Sequence, residues 1–265
     1  MSRIEKALER VARLKKVEGL SESINYETDY RPNIKCLLDV VPLEVNNPML
    51  ISSGETSIAV NEEYNKLRSL IVNLSKGDTF GNTLLVTSTV SDEGKTLTAL
   101  NLSIALAREY DHTVLLVDAD LRRPSVHEYL GIEPKFGLIQ CLKDNIPLCQ
   151  ALIKTGIGKL VVLPAGGIVP DPVEFLSSSR MREIVHELKT RYSDRFVVFD
   201  SPPALNFADA QVLANIVDGT IFVARERVVK EGQLRKTLDS FKDKNLLGVV
   251  FNDSSLPILE SYYYY

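Results

Sequence analysis

Apolar and polar positions in this chain alternate between two patterns. Short, nearly continuous apolar runs occupy 82–88 (NTLLVTS), 112–123 (HTVLLVDADLRR), 159–167 (KLVVLPAGG), 194–203 (DRFVVFDSPP), 219–225 (GTIFVAR) and 246–252 (LLGVVFN). Each is rich in Val, Leu, Ile or Phe, as expected of strands buried on both faces. Segments with helical spacing lie between them, at 61–74, 97–110, 137–143, 172–192, 208–217 and in a charged stretch running to Lys244. Asn61 suits a helix N-cap and Pro172 a first helical turn. Strands alternating with helices predict an α/β fold, with a mostly parallel central sheet flanked by helices on both faces.

The ends follow neither pattern. Residues 1 to about 16 read as a basic amphipathic helix with Ile4, Leu8, Val11 and Leu14 on one face, fit to dock on a partner, a membrane surface or the domain itself. Pro32, Pro42 and Pro48 punctuate a partly polar stretch, so 1–55 is expected to be an N-terminal helix and linker arm. A globular domain at 56–252 and a tail at 253–265 complete the division, and no internal repeat is evident.

Chemistry enters at the ends of the first two strands. The 82–88 strand feeds a loop containing EGKT (93–96), and a helix is expected to begin at Gly94. Backbone amides of residues 92–96 and the helix dipole would face an anion, Lys95 would reach the β- and γ-phosphates, and the Thr96 hydroxyl would suit Mg2+. This is Walker A chemistry, with Thr89 where the usual pattern has its first glycine. Asp118 and Asp120 lie two apart at the end of the next strand, 23 residues beyond Lys95, so in extended geometry they point the same way. Asp200 ends the 194–203 run in Walker B form, and Pro202-Pro203 cannot continue that strand's hydrogen bonding. Ligands of open α/β sheets bind at this carboxyl edge.

Composition narrows the class. The chain has 265 residues, 45% hydrophobic and 25% charged, with a net charge of −4, which argues against a protein that coats nucleic acid. No run reaches the roughly 18 apolar residues needed to span a bilayer, and the first residues lack the apolar core of a signal peptide, so the cytoplasm is expected. Cys36, Cys141 and Cys149 form no CxxC pattern and read as packing thiols.

Four consecutive tyrosines, Tyr262 to Tyr265, close the chain. They could pack or bind a partner; their hydroxyls could equally accept phosphoryl groups. The loop TSTVSDEGKT, the strands LLVDADLRRP and VVFDSPP, the segment LPAGGIVPDPVEFLSSSRM and the tyrosine cluster together resemble the bacterial tyrosine autokinases of capsule and exopolysaccharide loci, over roughly residues 56–265. The opening MSRIEKALERVARLKK is similar to a subgroup tied to exosortase-linked polysaccharide loci.

The resemblance implies a P-loop NTPase fold of the MinD/ParA-like deviant Walker class and an ATP- and Mg2+-dependent tyrosine kinase that modifies Tyr262, Tyr263, Tyr264 and Tyr265 in trans. ATP would lie against Ser91, Asp92, Glu93, Gly94, Lys95, Thr96 and Leu97, with Asn252 near the adenine. Lys95, Asp118 and Asp120 would be catalytic. Asp118 is the candidate base and Thr96, Asp120 and Asp200 the metal site, although Asp118 and Asp120 could exchange roles. The family's Glu-x2-Arg-x2-Arg ring-contact helix corresponds to Glu62, Asn65 and Arg68, so the middle arginine is missing, with Lys66 beside it. A separate membrane chain-length or co-polymerase protein is expected as activator, holding the kinase at the inner face of the plasma membrane, with a tyrosine phosphatase to reverse its action. Phosphates on the tail would loosen subunit contacts by like-charge repulsion.

Two other classes use the same strands. A MinD- or ParA-type ATPase switch carries a lysine early in the loop, where this chain has Ser88 and Thr89. An iron-sulfur scaffold needs cysteines at an interface spacing that is not present here.

Overall fold

The computed structural model describes residues 45, 47–54, 56–77, 80–109, 112–190 and 195–255. The expected N-terminal helix, most of the linker arm and Tyr262–Tyr265 lie outside them.

Seven strands form one sheet: β1 Thr83–Ser88, β2 Thr113–Asp118, β3 Ile153–Lys154, β4 Leu160–Leu163, β5 Arg195–Asp200, β6 Gly219–Arg225 and β7 Leu246–Asn252, in the order β3-β4-β2-β5-β1-β6-β7. All neighbours are parallel except β3, which runs antiparallel to β4. Central strands explain the continuous apolar runs. On β1, Leu84 and Val86 pack to one side with Val114, Leu116 and Val198. Leu85 packs to the other with Leu115, Val117, Val197, Phe199 and Phe222. Both faces are dry, so apolar residues dominate and a polar one needs a partner, as Thr87 Oγ1 finds by donating to the Pro202 carbonyl at 2.9 Å.

Helices α1 (Ile58–Ser75) and α2 (Lys95–Ala107) cover the first face. α2 is buried nearly all round, which is why its sequence is apolar with only small polar residues such as Thr98 and Ser103. The chain then forms α3 (Val126–Leu130), α4 (Leu138–Lys143), α5 (Leu148–Ala151), α6 (Pro172–Leu176), α7 (Ser179–Thr190), α8 (Asp209–Ala214) and α9 (Glu231–Asp239). Helices α4 to α8 supply much of the second face.

Several local expectations change. The first helix starts at Ile58, because Ser57 Oγ accepts from Val60 N at 3.3 Å and caps it ahead of Asn61. Asn61 instead donates to the carbonyls of Thr56 and Ser57. The segment expected as one helix over 172–192 is two. Ser178 Oγ accepts from Met181 N at 3.1 Å, restarting the helix where a serine competes with the backbone ladder. Part of the stretch expected as linker is packed. Leu50 and Ile51 are core residues, and Asn101 of α2 holds them by accepting from Ile51 N and donating to Met49 O.

Candidate active site

Parallel pairing brings the carboxyl ends of β1, β2, β5, β6 and β7 to one edge of the sheet. Asp118 and Asp200 are register partners across β2 and β5. The β1–α2 loop lies over this edge, and its fold explains why Thr89 can replace a glycine. The left-handed residues are Asp92 (φ 66°) and Gly94 (φ 88°), so no glycine is required at 89. Thr89 is buried, and its carbonyl accepts from Leu205 N.

Glu93 builds the loop from inside. Its carboxylate is buried and accepts from Val90 N at 2.7 Å and from Arg225 N at 3.3 Å. Burial raises its pKa, although the amides of Val90, Arg225 and Thr89 oppose the rise. Asn252, the last residue of β7, donates from Nδ2 to Glu93 O at 3.0 Å. A Cβ on Gly94 would sit 2.2 Å from that same nitrogen, so glycine is required there by contact as well as by conformation.

The expected chemical residues converge. Lys95 Nζ lies 2.9 Å from Asp120 Oδ2 and donates to Thr96 Oγ1 at 3.3 Å. Thr96 Oγ1 donates to Asp200 Oδ2 at 2.7 Å. Asp118 is fully buried; its two oxygens accept from Asp120 N and Val126 N, which folds the loop after β2 back over the strand end. Burial and the neighbouring Asp200 and Asp120 push the Asp118 carboxyl well above its ordinary value. Burial likewise pushes Asp200 up to about 6, despite Lys95 and the Thr96 hydroxyl. Burial works against the Lys95 ammonium, but Asp200, Asp120 and Asp118 outweigh it and raise its pKa.

Of these groups, Lys95, Thr96 and Asp120 line a cavity of about 2080 Å³, together with Ser91, Asp92, Gly94, Leu97 and Asn252. That is larger than the roughly 300–1,000 Å³ that holds one small molecule, and leaves room beside a nucleotide for a second reactant. Mg2+ fits the donor set. Thr96, Asp120 and Asp200 offer hard oxygens, and Asp200 Oδ1 is buried without a hydrogen-bond partner. Among the described residues no cluster of three or more acidic, histidine or cysteine groups forms an all-protein metal cage.

Glu62 and Arg68 lie on α1 and are engaged within the chain. Asn65 Nδ2 donates to Glu62 Oε1, and Arg68 Nε lies 3.2 Å from Glu109 Oε1, two residues past the end of α2. Sequence reasoning missed Arg122 and Asp209. The Arg122 guanidinium pairs with the fully buried Asp209 carboxylate at 3.1 Å and lies 4.3 Å from the Phe207 ring centroid. Arg122 is inside the motif that was read; Asp209 has no local signal beyond an acid in the first turn of α8.

Residues 84–261 match the family described as CobQ/CobB/MinD/ParA nucleotide binding domain. The chain is 34% identical over 218 residues to "Tyrosine-protein kinase YwqD" of Bacillus subtilis (strain 168), covering 82% of this chain and 90% of that one. It is 31% identical over 180 residues to "Tyrosine-protein kinase etk" of Escherichia coli (strain K12), covering 68% of this chain and 24% of that longer protein. The solved kinase domain of Escherichia coli tyrosine kinase ETK superposes with a TM-score of 0.66 at 27% identity, covering 74% of this chain and 78% of the other.

Proposed function

Because this chain belongs to the bacterial tyrosine-protein kinases, within the CobQ/CobB/MinD/ParA nucleotide-binding fold, we propose that it transfers the γ-phosphoryl group of ATP to Tyr262, Tyr263, Tyr264 and Tyr265. The observation that carries this reading is the meeting of Lys95, Thr96, Asp118, Asp120 and Asp200 at the edge where β7 also ends. In the transfer, a bond forms between a tyrosine oxygen and the γ-phosphorus. The bond from that phosphorus to the bridging oxygen breaks, ADP leaves, and the phenol proton passes to Asp118, or to Asp120 with the two roles exchanged.

A phenol has a pKa of about 10, so a proton acceptor within hydrogen-bond reach lowers the barrier. Lys95 and the amides of residues 92–96 neutralise charge on the phosphoryl group, and Asn252 borders the base end of the nucleotide. Thr96, Asp120 and Asp200 would hold Mg2+, which supplies charge neutralisation and alignment of the phosphates.

Where the tail starts is consistent with an acceptor role. Arg225 Nε donates to Asp253 Oδ2 at 3.0 Å and Ser255 Oγ donates to Glu226 Oε1 at 2.8 Å, fixing the chain as it leaves β7. Tyr262 lies seven positions beyond Ser255, a reach of at most about 25 Å. Transfer in trans is the family's mode and is part of this proposal. A ring through Glu62 and Arg68 would require Arg68 to exchange Glu109 for a neighbour, with Asn65 in place of a second arginine. We assign the kinase to control of polysaccharide polymerisation or export, through a membrane activator that draws it to the inner face of the plasma membrane. No helix of the described residues is long and apolar enough to cross a membrane by itself. The exosortase link rests on residues 1–16 alone.

Mass spectrometry of the intact chain and its peptides after incubation with Mg-ATP tests the reading, with Lys95→Met as control. Tail phosphate that is absent from Lys95→Met is the expected result. ATP hydrolysis without tail phosphate, in protein first stripped of phosphate, would favour the MinD-type switch instead.

A further inference from the structure

Five cationic side chains line the cavity: Lys66, Lys95, Arg122, Arg123 and Arg225. Four have acidic partners, namely Glu63, Asp120, Asp209 and Asp253 respectively for Lys66, Lys95, Arg122 and Arg225. Arg123 is exposed and has no acidic partner among the described residues. Its backbone is nevertheless firmly placed. Arg123 N donates to Asp120 Oδ1 at 3.0 Å, and Arg122 before it is held by Asp209, the Phe207 ring and the Pro170 carbonyl. A peptide bonded to Asp120 therefore carries one unneutralised guanidinium at the cavity lining.

The tail sets a problem that such a group would solve. Four adjacent tyrosines are to be modified in turn, and each phosphate adds about −1.5 to −2 charges. After the first transfer, every further acceptor brings a phosphate toward a site that would already hold the phosphates of ATP beside Asp118, Asp120 and Asp200, against the Lys95 ammonium and the Mg2+ placed there. Like charges would make each later transfer slower than the one before. An arginine fork at the mouth matches a phosphate bidentately and reverses that trend.

Building on the kinase reading, we propose that Arg123 binds a phosphotyrosine already present next to the reacting tyrosine, so that earlier transfers promote later ones. The transfer itself is unchanged: the tyrosine oxygen gains the γ-phosphoryl group, ADP leaves, and the phenol proton goes to Asp118, or to Asp120 with the two roles exchanged. Arg123 touches only the phosphate beside the reacting centre.

The test is a time course of intact masses with Mg-ATP, starting from full-length chain stripped of phosphate, for wild type, Arg123→Gln and Arg123→Lys. The reading is the rate of the second and later transfers relative to the first. Expected for Arg123→Gln is a first transfer within about twofold of wild type and later transfers slowed about fivefold, with Arg123→Lys in between. Added salt should narrow the gap. An unchanged ratio overturns the proposal, as does uniform slowing of every transfer, which would put Arg123 on the nucleotide. A wild-type chain that takes no tail phosphate overturns the kinase reading and this proposal together, whereas phosphorylation with an unchanged ratio overturns this proposal alone.

Discussion

Replacing Asp200 with asparagine should stabilise the chain in the absence of nucleotide and magnesium while removing its transferase activity. Asp118 and Asp200 face each other in register, both fully buried, and share with Asp120 the charge of Lys95. Burial pushes Asp200 to about 6, against about 3.9 in an unfolded chain. A carboxyl raised in this way binds more protons folded than unfolded between the two values. Stability therefore falls as pH rises through that window and stays reduced above it. A shift of about two units corresponds to about 3 kcal/mol. Asparagine keeps an acceptor for the Thr96 hydroxyl and puts an NH2 near the position of the partnerless Oδ1, without the charge. Urea unfolding in EDTA, from about pH 4 to 8, should show Asp200→Asn drawing level with wild type at the acid end and leading by about 3 kcal/mol at neutrality. Mg-ATP should then raise wild type more than the variant. A variant no more stable than wild type at pH 7, or a lead that does not vary with pH, would refute the idea that uncompensated negative charge is held here for the cation.

Three further outcomes follow from contacts away from the carboxylates. Gly94→Ala should weaken binding of a fluorescent ATP analogue at least about tenfold, since the new Cβ meets Asn252 Nδ2 at 2.2 Å in a left-handed residue; wild-type affinity would contradict it. Asn101→Ala strips partners from Ile51 N and Met49 O, so unfolding should ease by about 2–3 kcal/mol and protease should cut within 47–54 sooner. At the opposite sheet edge, burial alone would raise the Asp218 pKa, but the Lys189 ammonium and the Thr83 hydroxyl and amide pull it below its ordinary value. That stability is present above about pH 4 and is lost as pH falls through the folded value, so Asp218→Asn should cost about 2 kcal/mol at pH 7, and the deficit should close in acid.

Strands and site differ from the rest in how openly the chain declares them. β6 and β7 coincide with the apolar runs at 219–225 and 246–252, and β1, β2 and β5 stop within a few residues of where the runs do. A strand buried on both faces cannot hide an unpartnered charge, so β2 and β5 each end at their first carboxylate, Asp118 and Asp200. The convergence of Lys95, Thr96, Asp118, Asp120 and Asp200 was legible for a related reason. Each stands at the end of a parallel strand or in the loop after it, with the residue types and spacing that a nucleotide and its cation would require. Short elements escape this logic: α3, α5 and β3 hold too few residues to establish a period. Local competition also defeats it, as when Ser57 takes the cap from Asn61 and Ser178 splits a helix that apolar spacing alone would continue. The proline-punctuated stretch before residue 55 looked like linker because irregular backbone resembles unpacked backbone. Yet one buried side chain, Asn101, satisfies enough of it to place Leu50 and Ile51 in the core. Arg122 and Asp209 stand 87 residues apart, with no ligand-imposed spacing to connect them. Residues that serve a ligand carry its constraints in their local order, whereas residues whose partner is a distant part of the same chain become visible only when the sheet brings them together.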